Sequence, residues 1–362
     1  MRTETMLHYV AETPAVLRAQ AAGRFEEPLV DAFVAGPRRV VRVVASGSSR
    51  NAALCARPYL RRALGVEVLV TDPWTFVHHE YEVPADEFVV CVSQSGFSSA
   101  AIDALDRLRH LGRPAIGITG DVASDFRAHC DVLVDYGVGT ETVGYVTKGV
   151  SALHAFLCLF ADAAADRLGR DRGDRPSFRG SLDQYLAGYE AVRSQTRDVL
   201  RAREKELTSM GPVFVLGSGP DLGVASEGAL KLAETLQVPA VAVDLEEFLH
   251  GPHLQLTPLH TVVVVATGSH SWARSRQIHA AARVVTDRVL LLTDDPGADD
   301  ADVRIDTLVD PLAGAPSLLP FFQTVSYEIT ERKHLWRKHP LLARFEAMVS
   351  GKSENYVDRE VV

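Results

Sequence analysis

Three ionisable residues stand at spacings of four and three in the stretch Ser226-Glu227-Gly228-Ala229-Leu230-Lys231-Leu232-Ala233-Glu234. On an α-helix each residue advances by about 100°, so Glu227, Lys231 and Glu234 share one face. Their neighbours Ala229, Leu230, Leu232, Ala233 and Leu236 are apolar, so part of this helix enters a core and takes charge with it, which is costly unless the charges are paired. The plainer account is a surface lattice of ion pairs along one helix face, worth a few tenths of a kcal/mol. His250-Gly251-Pro252 follows, a histidine at a forced turn. A carboxylate beside a lysine stays ionised and a histidine titrates near neutrality. Glu234 and His250 therefore suit acid–base work, such as carrying a proton between adjacent sugar carbons while the histidine opens or closes a hemiacetal ring, with Lys231 and Glu227 setting the local field.

A second set of residues is built for an anion. Ser46, Gly47, Ser48 and Ser49 follow the β-branched run Val40-Val41-Arg42-Val43-Val44 and precede a helical pattern, and Ser93, Gln94, Ser95, Ser98 and Ser99 stand in the same relation to Phe88–Val92. Helix N-termini offer backbone N–H groups and a favourable dipole to an anion, and serine hydroxyls add donors without bulk. A phosphate monoester fits such a cradle, although serine and glycine are also good caps and turns in their own right. No Walker lysine follows either turn, and Gly217-Ser218-Gly219-Pro220-Asp221-Leu222-Gly223 departs from a dinucleotide fingerprint. The spacing of His250 and His253, interrupted by Gly251-Pro252, and the cluster His78-His79-Glu80 do not align ligands for a metal. Neither a metal nor a cofactor is expected.

The elements that position these residues are legible as alternation. Apolar runs at Arg39–Ala45, Val66–Val70, Phe88–Val92, Ala115–Thr119 and Val132–Val134 alternate with helical patterns, and after a break the runs return at Val213–Leu216, Val262–Ala266 and Val289–Leu292. Unbroken apolar strands between helices indicate parallel sheets covered on both faces. Ser46-Gly47 recurs as Ser218-Gly219, Ser93-Gln94-Ser95 as Thr267-Gly268-Ser269, and Thr119 as Thr293, so the chain reads as two copies of one α/β unit. The expected plan is an N-terminal helical segment over 1–34, interrupted at Thr13-Pro14, a first domain over 35–168 and a linker and helix over 169–189. A second domain over 190–335 and a tail over 336–362 complete it.

With 362 residues, 46% hydrophobic and 23% charged, the composition is that of a globular α/β protein. A net charge of −9 with scattered Lys and Arg argues against nucleic acid as a partner. Cys55, Cys91, Cys130 and Cys158 show no close pairing and read as reduced thiols, and the N-terminus has no apolar leader, so a cytoplasmic protein with no membrane segment is expected.

At these motifs the sequence resembles the sugar isomerase (SIS) family, in particular the isomerase half of glucosamine-6-phosphate synthase and the fructosamine-6-phosphate deglycases. Ser46-Gly47-Ser48-Ser49 and Ser93-Gln94-Ser95-Gly96-Phe97-Ser98 resemble the family's phosphate loops, and Val146-Thr147-Lys148 its S-T-K segment. Glu227 to Glu234 resembles the E-G-A-L-K-L-x-E helix, and Glu247-Phe248-Leu249-His250-Gly251-Pro252 the E-x-x-H-G-P turn. The resemblance implies two tandem domains, each a five-stranded parallel sheet between helices. It also implies a phosphorylated sugar or aminosugar as substrate, proton transfer by Glu234, ring opening by His250, and substrate contacts from Thr147 and Lys148. In the relatives the histidine reaches the site from a neighbouring subunit, which implies a homodimer with shared active sites. The match begins at the N-terminal helix, implying a chain without the synthase's glutaminase segment. Phe97 stands where the synthase loop has an acid, and the tail Gly351-Lys352-Ser353-Glu354-Asn355-Tyr356 replaces the synthase's own, with Lys352 as a possible site contact. A deglycase or deaminase follows as the expected activity, the alternative being a sugar-phosphate-binding regulator without chemistry.

Overall fold

The computed structural model describes residues 4–306 and 310–357; the first three residues of the N-terminal segment, 307–309 of the second expected domain and the last five of the tail lie outside the described residues. The chain divides into two compact units, one formed by residues 12–179 with the segment from Arg337, the other by Thr5–Ala11 with Gly180–Trp336.

In the first unit five strands, β1 (Val40–Val44), β2 (Glu67–Thr71), β3 (Glu87–Val92), β4 (Ile116–Thr119) and β5 (Val132–Asp135), lie in the order β2-β1-β3-β4-β5. Every pairing is parallel. In the second unit β6 (Val213–Gly217), β7 (Ala240–Asp244), β8 (Thr261–Ala266), β9 (Val289–Thr293) and β10 (Val303–Arg304) repeat that order, with β6 between β7 and β8 as β1 is between β2 and β3. These are the two helix-flanked, five-stranded parallel sheets that the resemblance implied. The strand order reverses between β1 and β3 and between β6 and β8, and the loops leaving the carboxyl ends there are the serine turns in one unit and Ser218-Gly219 and Thr267-Gly268 in the other. That crevice is where open parallel sheets place ligands.

Each sheet is buried against an apolar layer, Phe76, Ala101, Leu105, Leu108 and Phe126 in the first unit and Leu245, Phe248, Ile278 and Ala282 in the second. The helix Lys148–Arg167 has the length and composition to cross a membrane, yet 89% of its most apolar window is buried inside the protein, as befits a core helix. One local expectation is corrected. The first helix, Met6–Gly23, runs through Pro14 without interruption, and the chain breaks instead at Arg24, whose φ of 52° ends the helix before Glu27–Val34 begins. Two strands not assigned from the sequence are present as well: β7, a half-exposed edge strand that begins directly after Pro239, and β10, which has only 2 residues.

Candidate active site

The helix Pro220–Leu236 starts at Gly219, whose φ of 58° and ψ of −127° turn the chain out of β6, and has Pro220 in its first turn. Gly228 lets it approach the helix Leu319–Lys333, because a Cβ at Gly228 would meet the Phe322 ring at 2.5 Å. The helix is thereby sunk into its unit, and its charged face goes with it. Glu227 and Lys231 are both 0% exposed, while the side chain of Glu234 retains 27% exposure. The Lys231 ammonium lies 3.4 Å from Glu227 Oε1 and donates a hydrogen bond to Glu234 Oε1. One cation thus serves two carboxylates, one sealed in and one at the surface. An ion pair this deep is a poor source of stability, which makes the surface-lattice account untenable here. Glu234 alone among the three can meet a solute.

His250 is exposed at the end of a 3-10 turn, Glu247–His250, anchored by the buried Phe248. Gly251, with φ 141°, lets the chain reverse into Pro252. Among the described residues the electrostatic neighbour of His250 is Glu246, whose carboxyl is held below its ordinary range first by the hydrogen bond from Arg274 and last by His250. Within one chain, therefore, the structure brings Glu227, Lys231 and Glu234 together and leaves His250 facing outward. His253 is engaged elsewhere, its Nδ1 standing 3.2 Å from the Phe248 carbonyl, and Glu80 of the His78-His79-Glu80 cluster accepts from Arg42 at 2.5 Å.

In the first unit Ser46 and Ser98 occupy the N-cap positions of the helices Gly47–Leu64 and Ser99–His110, yet neither side chain makes a capping bond. Their hydroxyls are not spent on the role that would explain them structurally. Gly47, φ 55°, is exposed with open space at its Cβ position, Ser48 is buried and Ser49 half-buried. In the second loop the Ser93 hydroxyl accepts from Gly96 N at 3.1 Å and the Ser95 hydroxyl from Phe97 N at 3.3 Å. Among the described residues the backbone N–H groups of Gln94 and Ser95 have no partner. The tail lies along this loop. Lys352 bridges Ser98 and donates from Nζ to Ser95 Oγ at 3.1 Å, Ser353 N donates to the Phe97 carbonyl at 2.9 Å, and Tyr356 meets the Phe97 ring edge-on at 5.8 Å. Hydrogen bonds from Ser353 and Asn355 hold the Asp125 carboxyl below its ordinary range, fixing the tail further. The loop thus offers two free donors, hydroxyls and one ammonium, a set suited to a phosphate monoester.

Thr147 and Lys148 are taken up by the protein itself. The Lys148 side chain is 2% exposed and pairs with Glu12 at 2.9 Å, and the Thr147 hydroxyl donates to Tyr145 O at 2.8 Å. Their backbone N–H groups, with that of Gly149, donate to the Glu141 carboxylate at 2.7, 3.0 and 3.3 Å. Glu141 also accepts from Gln94 Nε2 at 2.7 Å, and burial raises its carboxyl above the ordinary value against the lowering pull of these bonds. Glu141 is the residue that sequence reasoning missed. Its only signal was an acid shortly before a long apolar helix, and its partners come together through the fold.

Two repeated parallel-sheet units, one with a serine loop at its strand-order reversal and the other with a buried acid–lysine–acid set, define a tandem-repeat α/β protein. Residues 206–327 match the SIS domain family. The chain is 27% identical over 339 residues to glutamine–fructose-6-phosphate aminotransferase (isomerizing) of Aeropyrum pernix, covering 90% of this chain and 54% of that protein, so it spans about half the length of this curated relative. A candidate phosphosugar isomerase of Clostridium difficile superposes with a TM-score of 0.85 at 21% identity, covering 98% of this chain and 100% of the other. Glucosamine-6-phosphate deaminase of Thermotoga maritima gives 0.70 at 17% identity, covering 99% of each. The chain carries a SIS domain over 206–327 and is homologous to the isomerase domain of glutamine–fructose-6-phosphate aminotransferase.

Proposed function

We propose that the protein is a cofactor-independent enzyme acting on a phosphorylated aminosugar or a fructosamine 6-phosphate, coupling aldose–ketose isomerisation to cleavage or formation of a C–N bond. The observation that carries this reading is the half-exposed Glu234 held by an ammonium whose second partner, Glu227, is fully buried. Binding alone needs no such arrangement, whereas a proton carrier needs a fixed carboxylate of controlled charge. Ser46, Ser48, Ser49, Ser93, Ser95 and Ser98 would hold the phosphate with the N–H groups of Gln94 and Ser95 and the Lys352 ammonium. With a C1-amine-linked 6-phosphofructose, Glu234 removes a C1 proton to give the enaminol and returns it to C2, leaving an aldimine. Water then adds across the C=N bond, and C–N cleavage releases glucose 6-phosphate and the amine. Glucosamine 6-phosphate would follow related steps and release ammonia. His250, exposed on its turn, serves the ring-opening proton transfer, and its outward position suits donation to a second copy in a homodimer. Four free thiols, three of them buried, suit a reducing cytoplasm.

Turnover tests the reading. The purified chain incubated with fructosamine 6-phosphates or glucosamine 6-phosphate should release amine or ammonia, and Glu234→Gln should lower kcat by about 10²–10⁴-fold while ligand binding persists. Sugar-phosphate binding without turnover on any of these compounds would show a regulator instead of an enzyme.

A further inference from the structure

Gln94 is tied at its backbone carbonyl and at its side-chain amide nitrogen, and its side chain is packed tightly. Its backbone carbonyl accepts from Gly120 N at 2.9 Å and from Thr119 Oγ1 at 3.3 Å. Its side-chain Nε2 donates to Glu141 at 2.7 Å. Its Oε1 lies over Gly149 so closely that a Cβ there would meet it at 1.9 Å. The remaining donor is the Gln94 N–H. A trans peptide is planar with its C=O and N–H antiparallel, so a Gln94 carbonyl tied back to Gly120 and Thr119 points the Ser95 N–H the opposite way. The Ser95 N–H thus owes its direction to the anchoring of Gln94, and the side-chain half of that anchor is Glu141.

Glu141 does a second thing. The helix Lys148–Arg167 is 20 residues long, and its N-terminus would attract any dianion entering this unit. Glu141 already fills it, bonded to three successive N–H groups. We propose that Glu141 is a positioning residue: it anchors Gln94 so that the Ser95 N–H faces the phosphate, and it occupies the helix N-terminus so that phosphate is confined to the serine loop. This deepens the phosphate reading of that loop and rests on it.

The full chain is titrated with inorganic phosphate by calorimetry. Ser95→Ala should weaken binding about tenfold or more, which tests the loop. Glu141→Ala should weaken it about tenfold and make the residual binding insensitive to Ser95→Ala. Gln94→Met, which removes the amide and keeps the volume, should weaken binding similarly, and adding Glu141→Ala to it should cost little more, whereas general structural damage would add. Should Glu141→Ala not fold, Glu141→Met, which keeps the volume and removes both acceptor oxygens, is measured in its place with the same expectation. Wild-type affinity and Ser95 dependence in the Glu141 variant, or losses that simply add to those of Gln94→Met, would overturn the role of Glu141 and leave the loop reading standing. Unchanged binding in Ser95→Ala would remove both.

Discussion

Lys231 is the side chain on which the candidate site depends for its charge balance. It is fully buried between two carboxylates, one of which, Glu227, is also fully buried. Lys231→Ala would take from the fully buried Glu227 the ammonium 3.4 Å away, so we expect a loss of roughly 3–5 kcal/mol in denaturant unfolding. The double variant Glu227→Leu/Lys231→Met, which removes both charges and refills the volume, should recover most of that stability without recovering activity. Recovery is the discriminating result, because it separates the electrostatic cost of losing the ammonium beside a buried carboxylate from the loss of a packing residue. The i, i+3 and i, i+4 spacing made this set readable from sequence, since a helix brings such residues together locally. Glu141 was not readable. Its four hydrogen bonds run to Gln94 and to the start of a helix, and no periodicity encodes a contact between two loops that leave different strands.

At the level of elements, what could be read followed burial. Strands in the middle of each sheet are largely apolar, buried runs, even with Arg42 inside β1, whereas β7 is a half-exposed edge strand directly after Pro239 and β10 has 2 residues, so neither announced itself. Pro14 misled because a proline can open a helix as readily as break one, and Met6–Gly23 accommodates it. The close approach at Gly228 is a contact between elements with a measurable consequence. Alanine there gains helix propensity but drives a methyl to 2.5 Å from the Phe322 ring, deep between two packed helices. We expect Gly228→Ala to destabilise by about 1–3 kcal/mol, and Phe322→Leu in the same chain to relieve part of it. A second pin joins a helix to a strand end. Asp221, 1% exposed in the first turn of Pro220–Leu236, accepts from Thr267 N at 2.8 Å and Thr267 Oγ1 at 2.6 Å. Burial pushes its carboxyl up to about 7, against the pull of Thr267 and assisted by Asp294. The folded value lies above the unfolded one, so this group's contribution is full below about pH 4 and is lost as pH rises towards 7. Asp221→Asn removes that dependence. The unfolding free energy of the wild type minus that of the variant should therefore fall between pH 4 and 7, by up to about 1.4 kcal/mol per pH unit. A flat difference would mean that Asp221 is ionised throughout.

For the whole molecule, the repeated alternation of strand and helix was legible because local patterning dictates it, while a homodimer followed only from the family resemblance, since no local pattern encodes a contact between chains. His250 faces outward within its own chain, and in the proposed reaction Glu234, partly exposed, is the carboxylate that it would serve. The proposed homodimer resolves this by exchange, each copy's histidine serving the other's glutamate, and a two-fold axis makes the exchange reciprocal. The consequence is quantitative. Glu234→Gln and His250→Ala chains should each be inactive as homodimers. Mixed in equal amounts by unfolding and refolding together, they form about half heterodimers by random pairing, and in each heterodimer one of the two sites combines an intact Glu234 with an intact His250. About a quarter of wild-type activity should return. If histidine and glutamate of one chain served the same site, every site in the mixture would lack one of them and no activity would return at any ratio.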